Sequence, residues 1–111
     1  MGLADLALSM KKGYGTEEFN EELEEIMSFL ANKAAQASAL RAKELGVFPK
    51  YDYDKIAASK FFQDVYTDET KEMIEEYGLR NSRLLSIAPT GSISNILGVS
   101  GGVEPFFLLA Y

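Results

Sequence analysis

Apolar residues recur at helical spacing as far as Tyr77, and the pattern changes beyond it. Leu3, Leu6, Ala7 and Met10 share one face of a short predicted helix, Leu3–Met10. Lys11 and Lys12 suit the negative end of its dipole, and Gly13 stops it. After a turn at Tyr14-Gly15, Thr16 is a favoured N-cap, and Glu17 and Glu18 fill the positive first turn of a second helix. That helix is predicted to run to Leu45 and to end at Gly46. Phe19, Leu23, Ile26, Met27, Leu30, Ala34, Ala37 and Leu45 trace its apolar face, with Glu21, Glu25, Asn32, Gln36 and Lys43 opposite. Ala34, Ala35, Ala37 and Ala39 would let another backbone come close. Such a helix is about 45 Å long, whereas a compact globule of this size is roughly 35 Å across. The chain is therefore expected to belong to something larger or to oligomerise.

Val47–Tyr53 reads as an aromatic-rich loop and Asp54–Phe62 as a short helix. Thr67 caps a further predicted helix, Asp68–Tyr77, closed by Gly78. From Leu84 onward the only charged residue is Glu104. Arg83–Ala88 reads as a strand, so poor in charge that it fits a sheet position buried on both faces. Ser92–Leu97 follows as a short helix, Gly98–Gly102 as a turn and Val103–Tyr111 as a second extended segment, where Pro105 keeps Glu104 out of a helix. The expected fold class is thus α/β and helix-rich. Residues 1–78 are mainly helical and 79–111 run strand–loop–helix–strand, as in a slice of a sheet or barrel.

A chain of 111 residues makes at most one small domain, and 47% hydrophobic with 25% charged residues is ordinary for a folded one. A net charge of −6 excludes nucleic-acid backbones and anionic membranes as partners. The sequence has no Cys, His or Trp, which excludes thiol nucleophiles, thiyl radicals, disulfides, Cys/His zinc sites and histidine bases. No metal site and no catalytic residue is expected within it. Asp5, followed by Lys11 and Lys12, breaks any signal-peptide pattern, and no run reaches transmembrane length, so a cytoplasmic location is expected.

Pro89-Thr90-Gly91-Ser92 sits where the strand-like run gives way to a helix. Gly91 would let a ligand approach the backbone, and Thr90 or Ser92 would cap the helix. The amides of Gly91, Ser92, Ile93 and Ser94 would then converge at the positive end of the helix dipole, with hydroxyls from Thr90, Ser92 and Ser94 beside them. No Lys or Arg lies close in sequence, so this is an amide-and-hydroxyl cradle for an anion and not a P-loop. The same four residues also make an ordinary strand-to-helix turn. Glu104 reads either as an acceptor or base beside the cradle or as a carboxylate held by backbone or solvent. Arg80 and Arg83 read as structural ion-pair partners for Glu104 or an acidic helix.

Arg80-Asn81-Ser82, Ser86–Ser94 and Gly98–Pro105 together resemble the large, catalytic subunit of ribonucleotide reductases. Met1–Leu6, Gly13-Tyr14-Gly15, Ser38 and Ala42–Pro49 extend the likeness over nearly the whole chain. The resemblance implies a slice of a ten-stranded α/β barrel, from the C-terminal half of the barrel domain. It implies an allosteric, ATP-binding oxidoreductase that makes deoxyribonucleotides for DNA synthesis by radical chemistry. It places the substrate's phosphates on Pro89, Thr90, Gly91, Ser92 and Ile93, with Ala88 and Ser94 as secondary contacts. Implied partners are a ribonucleoside di- or triphosphate, the remainder of the large subunit and a radical-generating small subunit. The radical source, adenosylcobalamin or a metal-containing small subunit, would be held elsewhere.

The departures matter as much. The family's radical cysteine, its redox cysteines, its finger-loop Asn and Glu and its allosteric N-terminal region are all missing, and Glu104 does not match the catalytic glutamate. The expectation is an inactive fragment, either excised or produced by a split or intein-interrupted gene. The alternative is a non-catalytic helical interaction module that retains the scaffold. Uncovered strand edges and apolar faces lead to a further expectation, self-association through the long helix or the last strand.

Overall fold

The structure, a computed structural model, describes residues 1–106. Its six helices are α1 (Leu3–Ser9), α2 (Glu17–Leu45), α3 (Tyr53–Ala57), α4 (Lys60–Val65), α5 (Asp68–Tyr77) and α6 (Gly91–Leu97). No strand occurs among the described residues, which corrects the expected α/β slice to a helical architecture. Arg83–Ala88 forms neither helix nor strand, and Leu85 and Ile87 are exposed. A strand exists only through ladder bonds to a neighbour, and no described segment pairs with this one. Of the second expected strand, residues 103–106 are irregular and Phe107–Tyr111 lie outside the described residues.

The chain divides into two compact units, Met1–Glu24 with the segment from Ser86 onward, and Glu25–Leu85. In the first unit, Ala4, Ala7 and Phe19 are buried. The Thr16 hydroxyl accepts from the Phe19 amide at 3.3 Å, the N-cap expected at the start of α2. Lys12 does not serve the end of α1; its ammonium pairs with Glu22 and, at 3.2 Å, with Glu18 on α2.

In the second unit, Ala35, Phe62, Ile74 and Leu79 form the core, ringed by Phe48, Tyr51, Tyr53, Ile56, Ala57, Tyr66 and Leu84. Five of this unit's aromatics, Phe48, Tyr51, Tyr53, Phe62 and Tyr66, are therefore in or against the core, whereas Phe29 and Phe61 are exposed. The single helix expected over Asp54–Phe62 is two, α3 and α4. Ser59 is extended and its hydroxyl caps the Phe62 amide at 3.2 Å, which starts a new helix. Thr67 caps α5 through the Thr70 amide, as expected.

The face that α2 buries is not the one its hydrophobicity marks. Ala31, Ala35, Ala39 and Ala42 are buried together with Asn32, Gln36 and Ser38, whereas Ile26, Met27 and Leu30 are exposed. The buried amides are satisfied at long range. Asn32 accepts from the Thr67 amide at 2.8 Å and donates to the Val65 carbonyl at 2.9 Å, and Gln36 donates to the Thr70 hydroxyl at 2.9 Å. Ser38 exchanges two bonds with Asn81, each 3.1 Å. Small residues bring the backbones close and the polar seam closes the gap, so burial there costs little.

Candidate functional site

The first unit carries the loop singled out by the sequence. The helix after it begins one residue before the expected Ser92, at Gly91. Its N-cap residue, Thr90, has φ +52° and ψ +29° and makes no side-chain cap bond. Neither Thr90 nor Ser92 caps α6, contrary to expectation. A left-handed β-branched residue is an outlier that its surroundings must hold in place. The holding group is the Gly102 amide, which donates to the Thr90 hydroxyl oxygen at 2.8 Å. The hydroxyl keeps its own proton for another acceptor.

Gly101 and Gly102 lie directly against the loop backbone. A Cβ on Gly101 would come within 3.3 Å of the Pro89 carbonyl oxygen, and one on Gly102 within 3.3 Å of that of Ala88. Gly102 also has φ +51°, so both its backbone conformation and its close contact favour glycine there. Ser94 is buried, its hydroxyl donating to the Gly91 carbonyl at 3.0 Å and its amide to that of Thr90 at 2.9 Å. Ser94 thus braces the loop from behind and does not offer the amide or hydroxyl expected of it.

What remains is narrower than the sequence implied. The amides of Gly91, Ser92 and Ile93 have no partner among the described residues, as in the first turn of any helix. Pro89, Gly91, Ser92 and Ile93 are exposed, as is Ala88, and Thr90 is half-buried. A Cβ on Gly91 would meet nothing within 4 Å. Gly91 is therefore not needed for packing among the described residues. The loop has no charged side chain, so its attraction for an anion would rest on amides and the helix dipole.

The Gly101-Gly102 turn is itself tied to α1. Asp5 accepts from both the amide and the hydroxyl of Ser100, each at 2.8 Å. These two donors, the amide foremost, hold the Asp5 carboxyl below its ordinary pKa. Sequence reasoning took Asp5 only as a break in an apolar run and missed this bond. The remaining candidates stand apart from the loop or outside its bonds. Glu104 is exposed and forms no ion pair among the described residues. Arg80 does not pair with an acid as expected; its guanidinium reaches the Gly46 and Val47 carbonyls at 3.4 Å.

The whole chain, residues 1–111, matches the family described as ribonucleotide reductase, barrel domain. The chain belongs to that family. The likeness read from Arg80–Ser82, Ser86–Ser94 and Gly98–Pro105 is therefore borne out, and its match is to one segment of the large subunit. It is 36% identical over 111 residues to the vitamin B12-dependent ribonucleoside-diphosphate reductase of Thermoplasma acidophilum, covering 100% of this chain and 12% of that protein. It is 32% identical over 111 residues to the protein of the same description from Mycobacterium tuberculosis, covering 100% of this chain and 14% of that one. With the ribonucleoside-diphosphate reductase subunit alpha of Chlamydia pneumoniae it shares 30% identity over 128 residues, 96% of this chain and 12% of that one. The chain thus spans only about an eighth of the length of the reductases it matches. Among the described residues no cluster of His, Cys, Asp and Glu could hold a metal ion, and no helix is long and apolar enough to cross a membrane.

Proposed function

We propose that this chain is the part of a ribonucleotide reductase large subunit that holds the phosphates of a ribonucleoside diphosphate. The observation that carries the reading is the division of labour within the loop. Thr90 and Ser94 are engaged by the chain itself, whereas Gly91, Ser92 and Ile93 are exposed and their amides have no partner among the described residues. A diphosphate supplies the charge and the several acceptors that such a row of amides lacks. Pro89 and Thr90 shape the approach, Gly91 leaves space for a phosphate oxygen, and Ala88 lines the edge. The relatives' names, ribonucleoside-diphosphate reductases, support the diphosphate level.

Reduction of the ribose falls to other parts of the subunit, because the sequence has no cysteine to carry a radical or a redox pair. In this reading the segment is inactive alone and works with the remainder of the large subunit in the cytoplasm, under allosteric control exerted elsewhere. The radical source would be the vitamin B12 of the relatives' names or a metal-containing small subunit; either supplies the radical that starts the reaction. Among the described residues no group of His, Cys, Asp and Glu could hold a metal ion for it.

The test is Gly91→Ala in the complete large subunit. Because an added Cβ meets nothing within 4 Å among the described residues, the thermal midpoint should not fall. The KM for a ribonucleoside diphosphate should rise by about 10-fold, as expected if one hydrogen bond to a charged group is displaced. An unchanged KM for Gly91→Ala, and for the bulkier Gly91→Val, would refute the assignment.

A further inference from the structure

We infer that Asp5 is a positioning residue for the phosphate-binding loop, acting through Ser100 and the Gly101-Gly102 turn. This rests on the proposed function of the loop and adds a residue that the loop's own sequence does not contain.

The connection is short and fully described within one unit. Ser100 is held at all of its polar groups. Its amide and hydroxyl donate to Asp5 Oδ2, its hydroxyl oxygen accepts from the Ala4 amide at 3.2 Å, and its carbonyl accepts from the Gly2 amide at 2.8 Å. Two residues further on, the Gly102 amide reaches Thr90. Between them Gly101 and Gly102 pack on the carbonyls of Pro89 and Ala88, so a shift of the turn must move the loop. Thr90 gains most from this support, because its left-handed backbone is unfavourable for a β-branched residue.

A carboxylate suits the task better than a neutral acceptor. Two donors converge on a single oxygen, and bonds to an ionised acceptor are roughly twice as strong as neutral ones. Asn at position 5 could still accept through its amide oxygen but without the charge. Ala would leave the Ser100 amide and hydroxyl without that acceptor. The depressed pKa of Asp5 agrees, since it reflects the two Ser100 donors favouring the ionised carboxylate.

The experiment uses the complete large subunit with Asp5→Ala, Asp5→Asn, Ser100→Ala and the Asp5→Ala/Ser100→Ala pair, alongside Gly91→Ala. The dissociation constant for a ribonucleoside diphosphate is measured directly, with KM and kcat. Asp5→Ala should weaken binding by about 5- to 10-fold, the effect of losing a charged hydrogen bond, with kcat little changed. Asp5→Asn should recover most of that loss, and the double variant should be no worse than Asp5→Ala, because both residues act through one connection. If Asp5→Ala does not fold, Asp5→Asn decides: weakening of about 2-fold or more supports the role, and wild-type binding overturns it. If Gly91→Ala weakens binding and the Asp5 variants that fold do not, the loop assignment stands and the role of Asp5 falls. If neither position affects binding, both fall.

Discussion

The amide of Gly102 donates to the hydroxyl of Thr90 at 2.8 Å, across the mouth of the loop that precedes α6. This bond makes Thr90 a strut in place of a helix cap and leaves the capping amides open to a ligand. Removing it should have a local effect. Thr90→Val keeps the shape but leaves the buried Gly102 N–H without an acceptor, a loss of about 1–3 kcal/mol. Hydrogen exchange should quicken across residues 99–104, and Thr90→Ser should restore protection. Unchanged exchange in Thr90→Val would show that the strut is not needed.

The buried amide of Asn32 joins α2 to the start of α5. Asn32→Ala would leave the Thr67 amide and the Val65 carbonyl unpaired, and should cost about 2–4 kcal/mol. The exposed variant Glu25→Ala on the same helix should cost little. The two urea midpoints measure this, and similar midpoints would contradict the polar seam.

How much of this could be read in advance depends on the range of the interaction. Thr16 and Thr67 were legible as caps because the amides they accept from lie three residues away. Ser59 carries the same signal and was overridden by a continuous helical pattern. The buried face of α2 was misread because Asn32 and Gln36 look solvent-facing until their partners, more than thirty residues distant, are known. Of the four alanines expected to permit a close approach, Ala35 and Ala39 are fully buried, whereas Ala34 is half-buried and Ala37 is exposed. Arg83–Ala88 has the composition of a strand, but strand formation depends on a neighbour that composition cannot supply. At the loop, the family was legible, whereas the Thr90–Gly102 and Asp5–Ser100 bonds were not. Both join residues far apart in sequence.

Asp5 should make stability depend on acid. Its folded carboxyl titrates below the ordinary value of 3.8, held there first by the Ser100 amide. The contribution is therefore fully present above that ordinary value and is lost as pH falls through the lower folded value. Unfolding of wild type and Asp5→Asn, followed from neutral pH to strong acid, should converge as pH drops. A constant gap between them would contradict the ionised bond.

The chain in isolation should self-associate. In the first unit the adjacent Ile96 and Leu97 are 82% and 62% exposed, and in the second Phe29 is 65% exposed, apolar surface that another copy can cover. In the proposed setting the rest of the large subunit covers them. Sedimentation equilibrium should show concentration-dependent association, weakened by Ile96→Lys with Leu97→Lys. A monomer at high concentration, for wild type and variant alike, would count against it.

The most direct measurement is a structure of the complete large subunit with a ribonucleoside diphosphate bound. The account predicts phosphate oxygens about 2.7–3.1 Å from the amides of Gly91, Ser92 and Ile93, with Thr90 still bonded to Gly102. A bound diphosphate whose phosphates lie away from Pro89–Ile93 would contradict it.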